Sequence, residues 1–301
     1  MILPFPLLRP RPTSLFAAIL TAAFCFAAPR AQAQLPEVAT GQKIVFLGDS
    51  ITAEGVGGGG GGYCSLVIDG LNRQGKKLEM IVSGSAGNKS NQMLERLDRD
   101  VISKKPDWMT LSCGVNDVGH PVPLEDYEKN ITAIVDKAQA AGIKVVILTA
   151  TMVGEDPNNG SNQKLATYND FLKELAKAKK TLIADLNSEM QLALKPAPGQ
   201  APAKGNQLTR DGVHMNAIGN QVMAAGVLKA FGLTNAQLEK IREAWLDLPS
   251  LVQINTSTSL TVREFLALRK LGALQEKSAD DFVRGETEKV IHALLAPAKK
   301  P

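Results

Sequence analysis

Three residues from two distant parts of the chain have the types needed for nucleophilic catalysis. Ser50 ends a Gly-Asp-Ser turn that directly follows an apolar run, and His214 follows Asp211 by three residues. A serine hydroxyl becomes an effective nucleophile only when a base takes its proton and a further group orients that base. A turn at Gly212 can bring the Asp211 carboxylate against Nδ1 of His214, so that Nε2 faces Ser50. We therefore predict a Ser50 nucleophile, a His214 base and an Asp211 that orients it.

Two further stretches could stabilise the charge that develops when a serine attacks a carbonyl. Residues 83–88 follow a second apolar run and contain glycines, which let a backbone N–H approach a ligand closely. Residues 113–117 follow a third run and include Asn116, whose side-chain amide can donate a hydrogen bond. Together with the backbone N–H of Ser50, these donors could form an oxyanion hole.

The order of apolar runs and periodic segments indicates which elements position these residues. Runs with strand character alternate with segments of helical periodicity, and Gly142 has the position of a helix C′ residue before its strand. The alternation predicts an α/β fold: a three-layer α/β/α sandwich with a five-stranded parallel sheet and right-handed crossovers. Ligands bind at the carboxyl ends of the strands of such a sheet, which is where Ser50 lies. The predicted strands are 43–47, 78–82, 108–112, 144–149 and 181–186, and the predicted helices are 63–73, 91–103, 124–141, 163–180, 187–194 and 216–231.

In their order and spacing across residues 43–231, four stretches resemble the sequence blocks of the SGNH hydrolases, also called GDSL-type esterases and lipases. Residues 48–52 (Gly-Asp-Ser-Ile-Thr) resemble the nucleophile block, and Gly87 matches the glycine block. Residues 114–117 (Gly-Val-Asn-Asp) match the Gly-x-Asn-Asp block, and residues 211–214 (Asp-Gly-Val-His) match the Asp-x-x-His block. The resemblance implies the flavodoxin-like SGNH hydrolase fold and a serine esterase that needs no metal or cofactor.

The resemblance also implies a role for each matching residue. Ser50, His214 and Asp211 would form the triad, while the N–H groups of Ser50 and Gly87 and the side chain of Asn116 would form the oxyanion hole. The Gly-x-Ser-x-Gly elbow of the α/β-hydrolases is absent from the sequence, which argues against that neighbouring fold.

One position departs from the family pattern. The polar residue usual several positions before the glycine of the second block is replaced by Val82 or Ser83, depending on alignment, which leaves open how that block is supported.

The remaining polar residues of these loops have structural interpretations. Asp49 and Asp117 are predicted to accept hydrogen bonds from loop backbone. His120 is predicted to be a loop histidine, with a place lining the cleft as the alternative, and His292 is given no role.

The first 33 residues have the pattern of an export signal. Arg9 and Arg11 precede an apolar run at 15–28, and an Ala-Gln-Ala sequence at 31–33 fits a cleavage site. Because the run is short for a membrane span, we predict a secretory signal cleaved near Gln34, with an uncleaved anchor as the alternative. The mature protein would then be periplasmic or extracellular, with no integral membrane segment.

Charge and cysteine content narrow the function classes further. The chain has 34 basic and 30 acidic residues; three basic residues precede Gln34, so the mature balance is 31 − 30 = +1. This balance predicts neither nucleic-acid nor membrane-surface binding. Cys64 and Cys113 could form a disulfide in an exported protein, but two buried free thiols are favoured because a disulfide-stabilised scaffold has more cysteines. No Cys/His cluster has the spacing of zinc ligands.

The rest of the chain adds two regions without catalytic motifs. The six glycines at 57–62 predict a mobile loop beside Ser50, which is either a low-complexity insertion or a flexible lip of the substrate cleft. Residues 233–301 have helical periodicity, with capping-box spacing at Thr261 and Glu264, and would pack on the main domain or on a partner. The predicted organisation is a signal peptide at 1–33, a hydrolase domain at 34–232 and a helical extension at 233–301.

These observations favour an exported carboxylic ester hydrolase that acts through an acyl-enzyme. Removal of short acyl groups from carbohydrate is the main hypothesis, because the secreted relatives that this chain resembles often deacetylate carbohydrates. The substrate would then be a small-molecule or glycan ester. One alternative is a lipid-directed esterase, such as a lysophospholipase. An alternative from another class is a non-catalytic binding protein on a hydrolase scaffold.

Overall fold

The computed structural model describes residues 37–57, 61–196, 198–199, 205–248 and 260–296. The predicted export signal, the centre of the glycine run and part of the loop at 195–205 lie outside the described residues. The chain divides into two compact units, Met1–Pro249 and Ser250–Pro301.

A five-stranded parallel sheet forms the centre of the first unit, as predicted. Its strand order is β2-β1-β3-β4-β5, so β1 lies between β2 and β3. The apolar runs form these strands because both faces of a parallel sheet are covered; every residue of β3 is buried. The ends of β2, β1 and β3, which precede three of the four predicted site loops, are therefore adjacent. The strands are β1 (Lys43–Gly48), β2 (Glu79–Gly84), β3 (Trp108–Ser112), β4 (Lys144–Leu148) and β5 (Leu182–Ala184).

Helices cover both faces of the sheet, and Gly142 has the C′ position that the sequence predicts. Gly142, at φ +77°, ends one long helix, and Ile143 N–H donates to Ala138 O at 3.0 Å in a Schellman arrangement. The Asn216 side chain caps another helix by accepting from Gly219 N–H at 3.0 Å. The helices of the first unit are α1 (Ser50–Ala53), α2 (Tyr63–Asn72), α3 (Ser90–Asp100), α4 (Val115–Gly119), α5 (Leu124–Ala140), α6 (Gly160–Lys179), α7 (Leu186–Ala193), α8 (Ala217–Ala230) and α9 (Asn235–Leu246).

The helix contacts define the two outer layers. Helix α2 packs against α8 on one face, and α5 packs between α3 and α6 on the other. This division follows from the strand order, because the connection from β1 to β2 runs in the opposite direction along the sheet from the three later connections.

The last strand is shorter than predicted. The apolar run at 181–186 predicts a strand to its end, but β5 stops at Ala184 and Leu186 begins α7. The Asp185 side chain accepts from Ser188 N–H at 3.3 Å and so caps α7, which turns the run from strand to helix. Leu186 is buried, as expected for an apolar run, but it is the first residue of a helix and not part of a strand.

Helix α9 extends the first unit beyond the boundary predicted at Gly232. Leu238, Ile241 and Trp245 are buried, and Trp245 Nε1 donates to Asp69 Oδ2 of α2 at 2.8 Å. The compact unit therefore runs to Pro249, because α9 packs against α8 and contacts α2 through Trp245.

Among its described residues, the second unit contains two helices, α10 (Val262–Ala273) and α11 (Ala279–Leu295), which pack against each other. The predicted capping box is present at the start of α10: Thr261 Oγ1 accepts from Glu264 N–H, and Glu264 Oε2 accepts from Thr261 N–H. Among the described helices of the chain, none is long and apolar enough to cross a bilayer.

Candidate active site

Ser50 is the first residue of α1, immediately beyond the carboxyl end of β1. Asp49 caps this helix, since its Oδ1 accepts from Ile51 N–H at 3.0 Å. The first N–H groups of a helix have no partner within the helix, so Ser50 N–H is a donor that the fold leaves for another acceptor. Helix α1 lies so close to the strand ends that a Cβ on Gly48 would meet Thr52 Oγ1 at 2.0 Å, which explains the glycine of the Gly-Asp-Ser turn.

The structure brings Ser50, His214 and Asp211 together in one line of hydrogen bonds. Nε2 of His214 lies 2.9 Å from Ser50 Oγ, and Nδ1 lies 2.7 Å from Asp211 Oδ2. The other carboxylate oxygen of Asp211 accepts from the N–H groups of Val213 at 3.0 Å and His214 at 2.8 Å. The turn predicted at Gly212, which has φ +96°, makes this geometry possible over only three residues.

Hydrogen bonds keep the Asp211 carboxylate ionised at neutral pH. Burial raises the pKa of this carboxyl, but donation from the His214 backbone, the His214 ring and Val213 N–H outweighs burial and lowers the pKa to about 2. Asp211 therefore stays ionised wherever a histidine base can work, and an ionised partner stabilises an imidazolium.

A second carboxylate, that of Glu155, holds the loop that leads to Asp211. Its Oε1 accepts from Leu208 N–H at 2.8 Å, Thr209 N–H at 2.7 Å and Thr209 Oγ1 at 2.7 Å. Thr209 Oγ1 in turn accepts from Gly212 N–H at 3.0 Å. Glu155 belongs to the loop between β4 and α6, so that loop and the Asp211–His214 loop are joined.

The oxyanion-hole candidates lie on the neighbouring loops. Asn88 N–H donates to Ser85 O at 3.2 Å, and Gly87 has φ +72°, the left-handed value that the third position of a type II turn needs. Asn116 lies in α4 after β3, and its Nδ2 donates to Asn88 O at 3.1 Å. The glycine turn and the asparagine amide are therefore in direct contact, although the strands that they follow, β2 and β3, lie on opposite sides of β1.

The acidic residues beside the site make the backbone contacts predicted for them. Oδ1 of Asp117 accepts from Ser90 N–H at 3.0 Å, and Asp49 has the capping role described above. The other oxygen of Asp49, Oδ2, also accepts from Asn116 Nδ2 at 3.3 Å. Burial raises the pKa of Asp49 to about 6, against the lowering effect of Ile51 N–H and of nearby His214.

The structure also shows what supports the glycine block where the sequence departs from the family pattern. Val82 is half-buried, whereas Ser83 is buried and its Oγ accepts from Arg96 Nη1 at 2.7 Å. Ser83 therefore occupies the supporting place. Arg96 and Glu155 belong to no motif, and sequence reasoning missed both.

The other histidines and the two cysteines make none of the hydrogen bonds described for the triad. His120 and His292 are exposed, the former at the end of α4 and the latter in α11. Cys64 and Cys113 are free and buried, and burial raises the pKa of each thiol. Within the described residues, no three His, Cys, Asp or Glu side chains are grouped so that they could hold a metal ion.

Comparison with known proteins identifies the family. The model of the GDSL-like Lipase/Acylhydrolase family matches residues 46–222. An acetylxylan esterase of Geobacillus stearothermophilus is 25% identical over 217 residues, which cover 65% of this chain and 96% of that protein.

Solved structures agree with this comparison. The crystal structure of an acetyl xylan esterase, AlAXEase, is 34% identical, with a TM-score of 0.57 over 62% of this chain and 98% of that chain. The crystal structure of LAE5, an alpha/beta hydrolase enzyme from the metagenome of Lake Arreo in Spain, is 27% identical, with a TM-score of 0.57 over 65% of this chain and 97% of that chain. The chain therefore belongs to the GDSL-like lipase/acylhydrolase family of the SGNH hydrolase superfamily and is a serine esterase.

Proposed function

We propose that this protein is an exported esterase that removes acetyl groups from carbohydrate through a covalent acyl-enzyme. One observation supports the chemistry above all others: Ser50 Oγ, the His214 ring and the Asp211 carboxylate lie in a single hydrogen-bonded line, with distances of 2.9 and 2.7 Å. That line has the geometry in which a hydroxyl passes its proton to an oriented base.

In the acylation step Ser50 Oγ attacks the ester carbonyl while His214 Nε2 takes the hydroxyl proton. Asp211, ionised and bonded to Nδ1, stabilises the imidazolium that results. The carbonyl electrons move to the oxygen and form a tetrahedral intermediate. Its collapse breaks the bond to the alcohol, and His214 returns the proton to the leaving oxygen.

The oxyanion of that intermediate would be bound by the N–H groups of Ser50 and Gly87 and by Asn116. An amide nitrogen carries two hydrogens, and those of Asn116 reach Asn88 O and Asp49 Oδ2. The bond to Asp49 is the longer, at 3.3 Å, so the oxyanion would replace Asp49 as acceptor and leave the contact with the glycine turn in place. Each such donor contributes on the order of 3 kcal/mol in the transition state.

Deacylation repeats the same steps with water as nucleophile. His214 takes a proton from the water, the oxyanion forms again at the same donors, and Ser50 leaves as the protonated alcohol. No group outside the described loops is required for this proton transfer.

Two observations support a carbohydrate substrate: the exposure of the triad, and the similarity of this chain to esterases of acetylated xylan. The side chains of His214 and Asp211 are 28% and 54% exposed, so a polymer could present an acetyl group to Ser50 from solvent. Two proteins to which this chain is similar are an acetylxylan esterase and an acetyl xylan esterase.

The experiment is acetate release from acetylated xylan, with Ser50→Ala and His214→Ala as controls and a glycerolipid ester panel in parallel. We expect release from xylan that is lost in both variants. A preference for long acyl chains on glycerolipid would replace carbohydrate by lipid as the substrate. Absence of turnover on every ester, or turnover that persists in His214→Ala, would contradict the esterase mechanism for this site.

Export is a separate part of the proposal and needs its own test. Residues 9–33 have the basic, apolar and small-residue pattern of a signal. Expression of the full chain in a bacterium with export machinery should yield a soluble protein that begins near Gln34, as read by N-terminal sequencing. An intact N-terminus on a membrane-bound product would support the uncleaved anchor instead.

A further inference from the structure

Arg96 of α3 is a buried cation whose hydrogen bonds reach several segments of the chain. The residue is only 8% exposed. Its Nη2 donates to Gly48 O at 2.7 Å, and its Nε donates to Asn88 Oδ1 at 2.7 Å. Its Nη1 contacts Ser83 O at 3.1 Å, Ser83 Oγ at 2.7 Å and Asp100 Oδ2 at 3.2 Å.

Two acceptors of Arg96, Gly48 O and Asn88 Oδ1, lie close in sequence to the oxyanion donors Ser50 and Gly87. Gly48 is the last residue of β1 and lies two positions before Ser50. Asn88 directly follows Gly87, and its own carbonyl accepts from Asn116 Nδ2. The guanidinium of Arg96 therefore joins the nucleophile loop to the glycine turn. Asn88 of that turn also accepts from the amide of Asn116, so Arg96 is linked to Asn116 through Asn88.

The chemistry of these contacts indicates that Arg96 contributes more to the geometry of the loops than to the stability of the fold. Removing a cation from water is costly, and Asp100 is the only carboxylate among the acceptors described for Arg96. The remaining donors bind neutral oxygens, which give less energy than a carboxylate would. What the guanidinium adds is a planar array of fixed donor directions, which a lysine ammonium does not provide.

We propose that Arg96 is a positioning residue of the esterase: it fixes the distance between the Ser50 loop and the Gly87–Asn88 turn so that the oxyanion donors converge. This inference rests on the proposed function of the same site. Without the guanidinium of Arg96, the Ser50 loop and the Gly87–Asn88 turn could separate. The triad would stay intact, because other contacts hold it. The effect should therefore appear in the transition state more than in substrate binding.

The test compares Arg96→Lys with Arg99→Met, a matched control on the same helix. Arg99 is 77% exposed and also donates to Asp100, at 2.7 Å, but contacts neither loop in the described contacts. For Arg96→Lys we expect kcat on p-nitrophenyl acetate to fall about 10- to 100-fold, the loss that a displacement of roughly 1 Å can cause, with KM nearly unchanged. Arg99→Met should keep the wild-type kcat.

Asn88→Ala is a second variant that keeps the proposal testable if Arg96→Lys does not fold. It removes only the acceptor on the glycine turn and leaves the contacts of Arg96 with the strand ends. We expect a smaller loss of kcat with an unchanged melting temperature. A wild-type kcat in both Arg96→Lys and Asn88→Ala, or an equal loss in Arg99→Met, would overturn the proposal.

A second readout separates this inference from the proposed function. A fluorophosphonate labels an activated serine without an ester substrate: the serine oxygen bonds to phosphorus, fluoride leaves, and the base takes the proton. The labelling rate of Ser50 should fall in Arg96→Lys in parallel with kcat. If the wild type labels but hydrolyses no ester, the proposed function fails while the labelling rates still decide the role of Arg96. Equal labelling rates in wild type and Arg96→Lys would overturn that role.

Discussion

Replacing Glu155 by alanine tests whether the loop between β4 and α6 holds the Asp211–His214 loop in place. The carboxylate accepts four hydrogen bonds from that loop: three reach Oε1, from Leu208 and Thr209, and Gln207 N–H donates to Oε2 at 2.6 Å. The variant removes both acceptor oxygens, and with them all four bonds, and leaves three backbone N–H groups without this partner. The segment that leads to the triad then loses its main contact with the loop behind it.

The size of the effect follows from the number and environment of these bonds. A hydrogen bond to a charged group contributes roughly 1.5–3 kcal/mol. Glu155 is half-buried, so water can replace part of what is lost. We therefore expect the free energy of unfolding to fall by about 2–4 kcal/mol, well below the full sum of four bonds. A displacement of His214 of the order of 1 Å should lower kcat by about 10²-fold.

The assay is urea unfolding together with kcat and KM on p-nitrophenyl acetate. Glu155→Gln is the informative companion, because its amide oxygen can keep the three bonds at Oε1 and lose only the bond from Gln207; we expect it to cost about 1 kcal/mol. Glu174→Ala is the control, since Glu174 lies exposed on α6 and pairs only with Lys177 in the described contacts. An alanine variant at position 155 with the stability and kcat of the wild type would refute the reasoning.

Three further predictions follow from the site. Burial raises the pKa of Asp49 to about 6, so the folded state binds more protons than the unfolded state between about pH 4 and 6. The free energy of unfolding should therefore fall by ~3 kcal/mol as the pH rises from about 4 to 6, at 1.36 kcal/mol per pKa unit. Urea unfolding as a function of pH should show that slope in the wild type and not in Asp49→Asn, and equal slopes would contradict it. Asp211→Asn offers an amide to Nδ1 and favours the wrong histidine tautomer, so kcat should fall roughly 10³- to 10⁴-fold with a near-native circular dichroism spectrum; a tenfold loss or less would count against the triad. A Cβ at position 84 would lie 2.0 Å from Ala53 N, so Gly84→Ala should lower the free energy of unfolding by roughly 1–3 kcal/mol, and an unchanged melting temperature would show that α1 can move away.

Local patterns were enough to predict most of the sheet and the contact between Asp211 and His214. Apolar runs mark strands because a parallel sheet is buried on both faces, and a three-residue spacing with a glycine turn is a local geometric requirement. The end of β5 was predicted wrongly because the capping of α7 by Asp185 competes with the apolar run that continues to Leu186.

Long-range contacts explain what the sequence did not reveal. The carboxylate of Glu155 contacts Thr209, 54 positions later, and Arg96 Nη2 contacts Gly48 O, 48 positions earlier. Neither contact has a fixed spacing or a characteristic neighbour, so each becomes visible only when the fold places the loops together. The place of α9 likewise depends on the contact of Trp245 with Asp69, which is 176 positions away.

The covalent intermediate gives the most direct test of the central claim that Ser50 attacks the ester and carries the acyl group. The enzyme is mixed with p-nitrophenyl acetate, quenched with acid during the first turnover, digested and analysed by mass spectrometry. We expect a single acetyl group on the peptide that contains Ser50, and none in Ser50→Ala. Steady release of acetate by the wild type with no acetyl group on Ser50, or undiminished release by Ser50→Ala, would contradict the mechanism.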